Sequence, residues 1–205
     1  MNEADKIEII KRYESRLSEF GHDVRTLASG SDSKQHLRYR TLLDIGISHG
    51  DKILDVGCGF GDFYSFLQDE GTDVGYVGYD IVPGLLEEAR KAYPTARFEL
   101  RDIQENPPVE TFDWVTSSQA FNNRLKYEDN AIVVKDVVKI GFNACLKGMA
   151  IDMMSTHVDF REERLYYFDP VEILAFAKGL TKRVVLRHDY LPHEFCLYLY
   201  KPCPI

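Results

Sequence analysis

This chain lacks most of the features that would point to metal, membrane or nucleic acid. Its four cysteines, Cys58, Cys145, Cys196 and Cys203, stand apart, with no C-x-x-C pair and no zinc-like spacing. That removes the usual structural-zinc and dithiol frameworks and predicts free thiols in a reducing cytoplasm. No apolar run approaches the ~18 residues needed to cross a bilayer. The first residues, MNEADKIEIIKRYESRL, also lack the apolar centre of a secretory signal. Positive charge is not in excess either. A formal net charge of −8 and a pI near 5.3 argue against a large nucleic-acid footprint, which is normally basic. Repeats and low-complexity segments are absent. What remains is an ordinary globular composition, 44% hydrophobic and 28% charged. The 205 residues suffice for one domain with a substantial core.

The informative stretch is KILDVGCGFGDF, residues 52–63. Lys52 to Val56 reads as a short buried parallel strand. It contains Asp55 and runs into Gly57, Cys58, Gly59, Phe60 and Gly61 before Asp62 opens a helical pattern. Three alternate glycines allow a sharp turn and a close approach of backbone to ligand. The helix that follows brings its unpaired N–H groups to the same space. A dinucleotide-binding loop needs G-x-G-x-x-G. Here the third glycine comes one residue early, and Asp55 lies two before the first. A second strand, DVGYVGYD, ends in Asp80, 19 residues beyond Gly61. A carboxylate there can accept hydrogen bonds from ribose hydroxyls.

The pattern D-x-G-x-G-x-G followed by Asp80 resembles the first motifs of the class I S-adenosylmethionine (SAM) dependent methyltransferases. The resemblance spans about Leu42 to Lys201 and implies SAM as cofactor, S-adenosylhomocysteine (SAH) as product, and a Rossmann-like seven-stranded, mostly parallel sheet. That sheet ends in an antiparallel hairpin and carries helices on both faces. It implies a single methyltransferase domain over 1–205, with a helical cap at 1–49 and a SAM-binding core at 50–205. By the same resemblance Asp55, Gly57, Cys58, Gly59 and Gly61 form the cofactor loop, and Asp80 takes the ribose. Asp102 takes the adenine amino group, Ile81 and Ile103 flank the ring, and Ser118 and Gln119 lie beside the methyl donor. Arg38 could meet the methionine carboxylate, although long cationic side chains are mostly solvated.

The rest of the chain is consistent with this α/β reading. Ile7, Ile10, Tyr13, Leu17 and Phe20 recur at helical spacing, and Gly21 stops that helix. VRTLASGSDS reads as a flexible connection or lid, before a helix with Leu37, Leu42 and Ile45 on its inner face. Strands are predicted at 52–56, 74–79, 96–100, 112–118 and 148–155. The helices between them fall at about 62–70, 83–93 and 128–146, the last ended by Gly148. Pro170 starts a helix closed by Gly179. Two strands, 182–188 and 195–201, are joined by DYLPHE, which is too short for a crossover and requires a hairpin.

For the chemistry, the sulfonium methyl is displaced in line by an O, N or C nucleophile of a small-molecule acceptor, an oxygen or neutral carbon nucleophile needing a base as well. His157, His188 and His193 are the candidate bases, with Asn122, Asn123 and Tyr166 as substrate contacts. Each histidine taken alone also fits a purely structural role. The segment after the fourth strand, Ser117 to Ala120, lacks the Asn/Asp-Pro-Pro-aromatic motif of nucleic-acid amine methyltransferases. Asp129 and Asn130 resemble half of a magnesium site in catechol methyltransferases, but Ser117 and Ser118 stand where a further Asp is needed, so no metal is expected. The C-terminal LRHDYLPHEFCLYLYK also resembles, more loosely, a bacterial branch found in small-molecule and cell-surface glycan pathways. The competing readings are a non-catalytic SAM-binding partner and a methyltransferase of protein or RNA. Oligomeric state is not legible.

Overall fold

The computed structural model describes residues 1–202. Cys203 therefore lies outside the described residues. The elements are α1 (Glu3–Phe20), α2 (Asp32–Leu43), β1 (Lys52–Val56), α3 (Asp62–Asp69), β2 (Gly75–Asp80), α4 (Pro83–Ala92), β3 (Arg97–Leu100), β4 (Phe112–Ser118), α5 (Asn130–Ala144), β5 (Cys145–Met154), α6 (Pro170–Leu180), β6 (Val184–Leu191) and β7 (Glu194–Tyr200). The strands form one seven-stranded sheet, ordered β3-β2-β1-β4-β5-β7-β6. β1 to β5 run parallel, and β7 is antiparallel to both β5 and β6. Central strands buried on both faces explain the continuous apolar runs of β1 and β4.

From β1 the chain winds outward through β2 to β3, then returns to the other side of β1 for β4. That reversal opens a crevice above the carboxyl ends of β1 and β4, where open α/β sheets hold their ligands. On one face Val137 and Val138 of α5 and Ile173 of α6 pack in one core with Leu54, Val115, Met149 and Leu197 of the sheet. On the other, Leu42 of α2, Phe63 and Leu67 of α3 and Leu86 of α4 pack in one core with Ile53 and Trp114 of the sheet.

α1 is fastened across the top. Glu14 accepts from the Gly84 amide at 2.9 Å, Lys6 pairs with Glu105 at 2.8 Å, and Asp5 accepts from the Lys126 amide at 2.7 Å. Asn2 and Ser31 cap α1 and α2. No helix among the described residues is long and apolar enough to cross a membrane.

Several boundaries differ from the sequence expectation. α5 stops at Ala144, so Gly148 does not end it but lies inside β5. A Cβ there would sit 2.4 Å from the Leu199 carbonyl oxygen and 2.9 Å from the Trp114 ring, so the glycine serves close interstrand packing. Gly179 likewise falls within α6, which Thr181 closes. β6 runs on to Leu191, leaving only Pro192 and His193 in the hairpin turn. Leu37 is exposed, and Ile45 follows the end of α2.

Candidate cofactor and active site

The turn after β1 needs its glycines. Gly57 has φ +76°, and a Cβ on it would lie 2.3 Å from the Ala120 Cβ. Gly61, at φ +77°, would collide with the Phe98 ring at 2.7 Å. The loop spends its amides internally. Gly57 and Cys58 both donate to the Tyr79 carbonyl, Gly59 donates to Asp80 Oδ2, and Gly61 donates to the Cys58 carbonyl. A phosphate cradle needs those N–H groups free. This loop instead suits a ligand that brings donors of its own, as the ammonium of SAM does.

Asp80 closes the loop and faces the cavity. Oδ2 accepts from the Gly59 amide at 2.8 Å and Oδ1 from the Val82 amide at 2.9 Å. Each oxygen keeps a further lone pair, enough for two ribose hydroxyls. Burial raises its pKa, against those backbone bonds. Asp55 lies beneath the loop, accepting from the Tyr76 hydroxyl at 2.6 Å and the Thr116 hydroxyl at 3.2 Å. Burial pushes its carboxyl up to about 6, against those two hydroxyls. Asp102 accepts from the Gln104 amide at 2.9 Å and the Met1 ammonium at 3.3 Å.

A cavity of about 1030 Å³, counting space open to solvent, runs over these groups. Asp55, Gly57, Cys58, Gly59, Asp80, Ile81, Asp102, Ile103, Ser118 and Gln119 all line it. Its roof comes from α1 through Ile9 and Tyr13, from Leu27 and Ser29, and from α2 through Gln35 and Tyr39. Segment 22–30 is strapped down. His22 stacks on Phe60 at 4.1 Å and reaches Asp62 at 3.1 Å, which raises the histidine's pKa. A Cβ on Gly59 would meet Leu27 at 3.1 Å.

Other expected site residues lie elsewhere. Arg38 is neither a solvated charge nor part of the cavity wall. It is 6% exposed, holds Glu194 through two bonds of 2.6 Å, and donates to the Ser29 carbonyl at 2.7 Å. Gly61 shapes the turn without lining the cavity. Asn122 accepts from the Met154 amide at 3.1 Å, and Asn123 bonds the Tyr13 hydroxyl at 3.2 Å. Tyr166 packs edge-on against Phe168, outside the cavity. His193 Nδ1 lies 3.4 Å from the His157 backbone carbonyl, and the His188 and His157 rings are 5.9 Å apart, centroid to centroid; none of the three lines the cavity. Asp129 caps α5, and Asn130 bonds the backbone of Phe121, Asn123 and Leu125.

The sequence reading missed a buried polar group behind the β4 wall. Asp152, at the end of β5, accepts from the Gln119 amide at 2.7 Å, from Gln119 Nε2 at 2.9 Å and from the Ser118 hydroxyl at 3.2 Å. Gln119 Nε2 also reaches Glu194 at 3.1 Å. Gln119 has φ +55°, a left-handed conformation uncommon outside glycine. Burial pushes the Asp152 carboxyl up to about 7; Arg38 opposes this shift and Glu194 adds to it. No local motif could have found this group. The only signal was two acids, Asp152 and Glu194, in otherwise apolar strands.

Residues 53–140 match the family described as a methyltransferase domain. The chain is 28% identical over 158 residues to Rv1506c, a methyltransferase candidate of Mycobacterium tuberculosis, covering 73% of this chain and 92% of that protein. It is 29% identical over 144 residues to the demethylmenaquinone methyltransferase of Chlorobaculum tepidum, covering 70% of this chain and 57% of that one. Among solved structures, the SAH complex of magnesium protoporphyrin IX methyltransferase from Synechocystis superposes with a TM-score of 0.66 at 13% identity, covering 97% of this chain and all of that one. The N-methyltransferase NodS from Bradyrhizobium japonicum, also with SAH, gives 0.67 at 14%, covering 93% and 98%.

Proposed function

We propose that this chain, a class I SAM-dependent methyltransferase, methylates a small-molecule acceptor held beneath the roof of its cavity. The observation that supports the reading is that roof. α1, segment 22–30 and α2 cover the crevice, leaving no broad open groove such as a polynucleotide or a folded protein would need. Of the residues lining the cavity, the only cations are Arg101 and the Met1 ammonium, and Arg101 is engaged with the Tyr79 hydroxyl at 2.6 Å. The acceptors named for the relatives, a quinone and a porphyrin, are of small-molecule size.

In this reading residues 1–49 act as a helical cap on a core that starts at residue 50. Asp80 holds the ribose, Asp102 the adenine amino group, and Ile81 and Ile103 the faces of the ring. The carbonyls of the glycine loop take the ammonium. Bound SAM supplies a methyl group activated by its sulfonium. The chain's own contribution is orientation and exclusion of water, which can account for much of such an acceleration. The three histidines stand off the cavity, so where the acceptor needs a base it comes from the cavity wall or from the acceptor itself.

Calorimetric titration with SAM, SAH and NAD tests the cofactor part; binding of the first two and not NAD is expected. Incubation with methyl-labelled SAM and separate small-molecule, RNA and protein fractions tests the acceptor. Label in the small-molecule fraction is expected, and label confined to RNA or protein overturns the reading.

A further inference from the structure

We infer that Asp152 is a positioning residue that makes this site prefer the cationic cofactor SAM over its product SAH, by fixing the Gln119 turn and placing a surplus negative charge behind it. The inference rests on the SAM reading of the cavity and is independent of the acceptor.

Position comes first. Ser118 and Asp152 are direct partners across the β4–β5 ladder. The end of β4 directs three donors at that one carboxylate, two of them from Gln119. A left-handed φ at a residue other than glycine is disfavoured and persists only when its surroundings hold it. Asp152 supplies that hold. Ser118 and Gln119 line the cavity, whereas Asp152, 1% exposed, stands behind them.

Charge comes second. The titratable and charged groups facing Asp152 are Arg38 and Tyr39 from α2, Glu194 and Cys196 from β7, and Tyr190 from β6. Arg38 is committed to Glu194 through both bonds of its fork, so an ionised Asp152 is a net negative charge in a dry interior. SAM carries a sulfonium and SAH does not, and in low dielectric a nearby carboxylate distinguishes them strongly. Binding and ionisation are reciprocal, so SAM must lower the proton affinity of Asp152 as much as ionised Asp152 favours SAM.

The sign follows. With its carboxyl held near 7, Asp152 is largely protonated at pH 6 and largely ionised at pH 8. The preference for SAM over SAH therefore grows as pH rises through neutrality. In the ligand-free chain the raised folded value means extra bound protons between the ordinary carboxylate range and about 7, so stability falls as pH rises across that window. Asp152→Asn imitates the neutral acid and keeps acceptors and donors in place.

The test is calorimetric affinity for SAM and for SAH at pH 6, 7 and 8, in wild type, Asp152→Asn and Ser118→Ala. In wild type the SAM-to-SAH affinity ratio should rise about tenfold from pH 6 to 8, one pK unit of linkage. In Asp152→Asn that rise should disappear, while the ligand-free variant melts higher than wild type at pH 6 and by somewhat more at pH 8, the two converging only as pH falls into the ordinary carboxylate range. Asp55, held near 6 on the same cavity, is present in every variant, so their difference isolates Asp152. Should Asp152→Asn not fold, Ser118→Ala still decides: losing one donor to the carboxylate must move the inflection to higher pH, and an unmoved inflection overturns the inference. An unchanged rise in Asp152→Asn overturns it too. Absence of SAM binding by wild type at every pH would instead overturn the cofactor reading, and this inference with it.

Discussion

The two halves of the crevice are built differently. On the β1–β3 side, the bonds that shape the site join residues close in sequence: Gly59 to Asp80 and Tyr76 to Asp55 each span 21 positions. On the β4–β7 side, Gln119 meets Asp152 across 33 positions, Glu194 across 75, and Arg38 meets Glu194 across 156. The first half is a motif and could be read. The second is an assembly of residues that become neighbours only when α2 and the terminal hairpin close on the sheet.

The sharpest way to break this contrast is Gly57→Val. The new Cβ would overlap Ala120, which follows the β4 strand, and φ +76° is hostile to a β-branched residue. SAM binding should be lost, by more than about 100-fold, with a lowered melting temperature. Normal calorimetric affinity would show that the two walls are not in contact as described.

Glu194→Ala attacks the second half alone. It leaves the Arg38 guanidinium buried and largely unpaired, which should cost about 3–5 kcal/mol in denaturant unfolding. Replacing both residues by apolar ones of similar volume should recover most of that loss. No recovery would mean that the pair does more than neutralise itself.

Asp80→Ala attacks the first half. It removes a proposed ribose acceptor and two partners of the backbone, so SAM affinity should fall about 10- to 100-fold. Circular dichroism should still report a folded chain. Undiminished affinity would make the ribose assignment wrong.

His157→Ala should do least. Its ring is exposed and off the cavity, so SAM affinity should stay within about twofold of wild type. Once an acceptor is known, turnover should hold as well. A large fall in turnover would return the histidines to the chemistry.

Legibility followed the same division. The strands were readable because a buried parallel strand is a continuous apolar run, and their parallel direction followed from the βα alternation. The glycine loop was readable because positive φ and close approach admit little but glycine. Glycine misled where it served packing: Gly148 and Gly179 were taken as helix ends, and both lie inside regular elements. Of the histidines expected on carboxyl-end loops, His157 and His193 do stand outside the strands at that rim, whereas His188 lies within β6. Yet which part of a rim opens into a cavity depends on what covers it.

Asp102 was expected at the crevice only through the resemblance to a known family; the sequence alone determined where the strands lie, which turn carries the glycines, and that Asp80 ends the strand beside them. Each depends on local backbone geometry or on a short span of chain. Tertiary structure decided that Arg38 is paired and buried, that Gln119 is held left-handed, and that burial raises the pKa of Asp152 behind the cavity wall. Those properties come from burial and from partners far apart along the chain, and a side chain acquires them only once the interior excludes water around it.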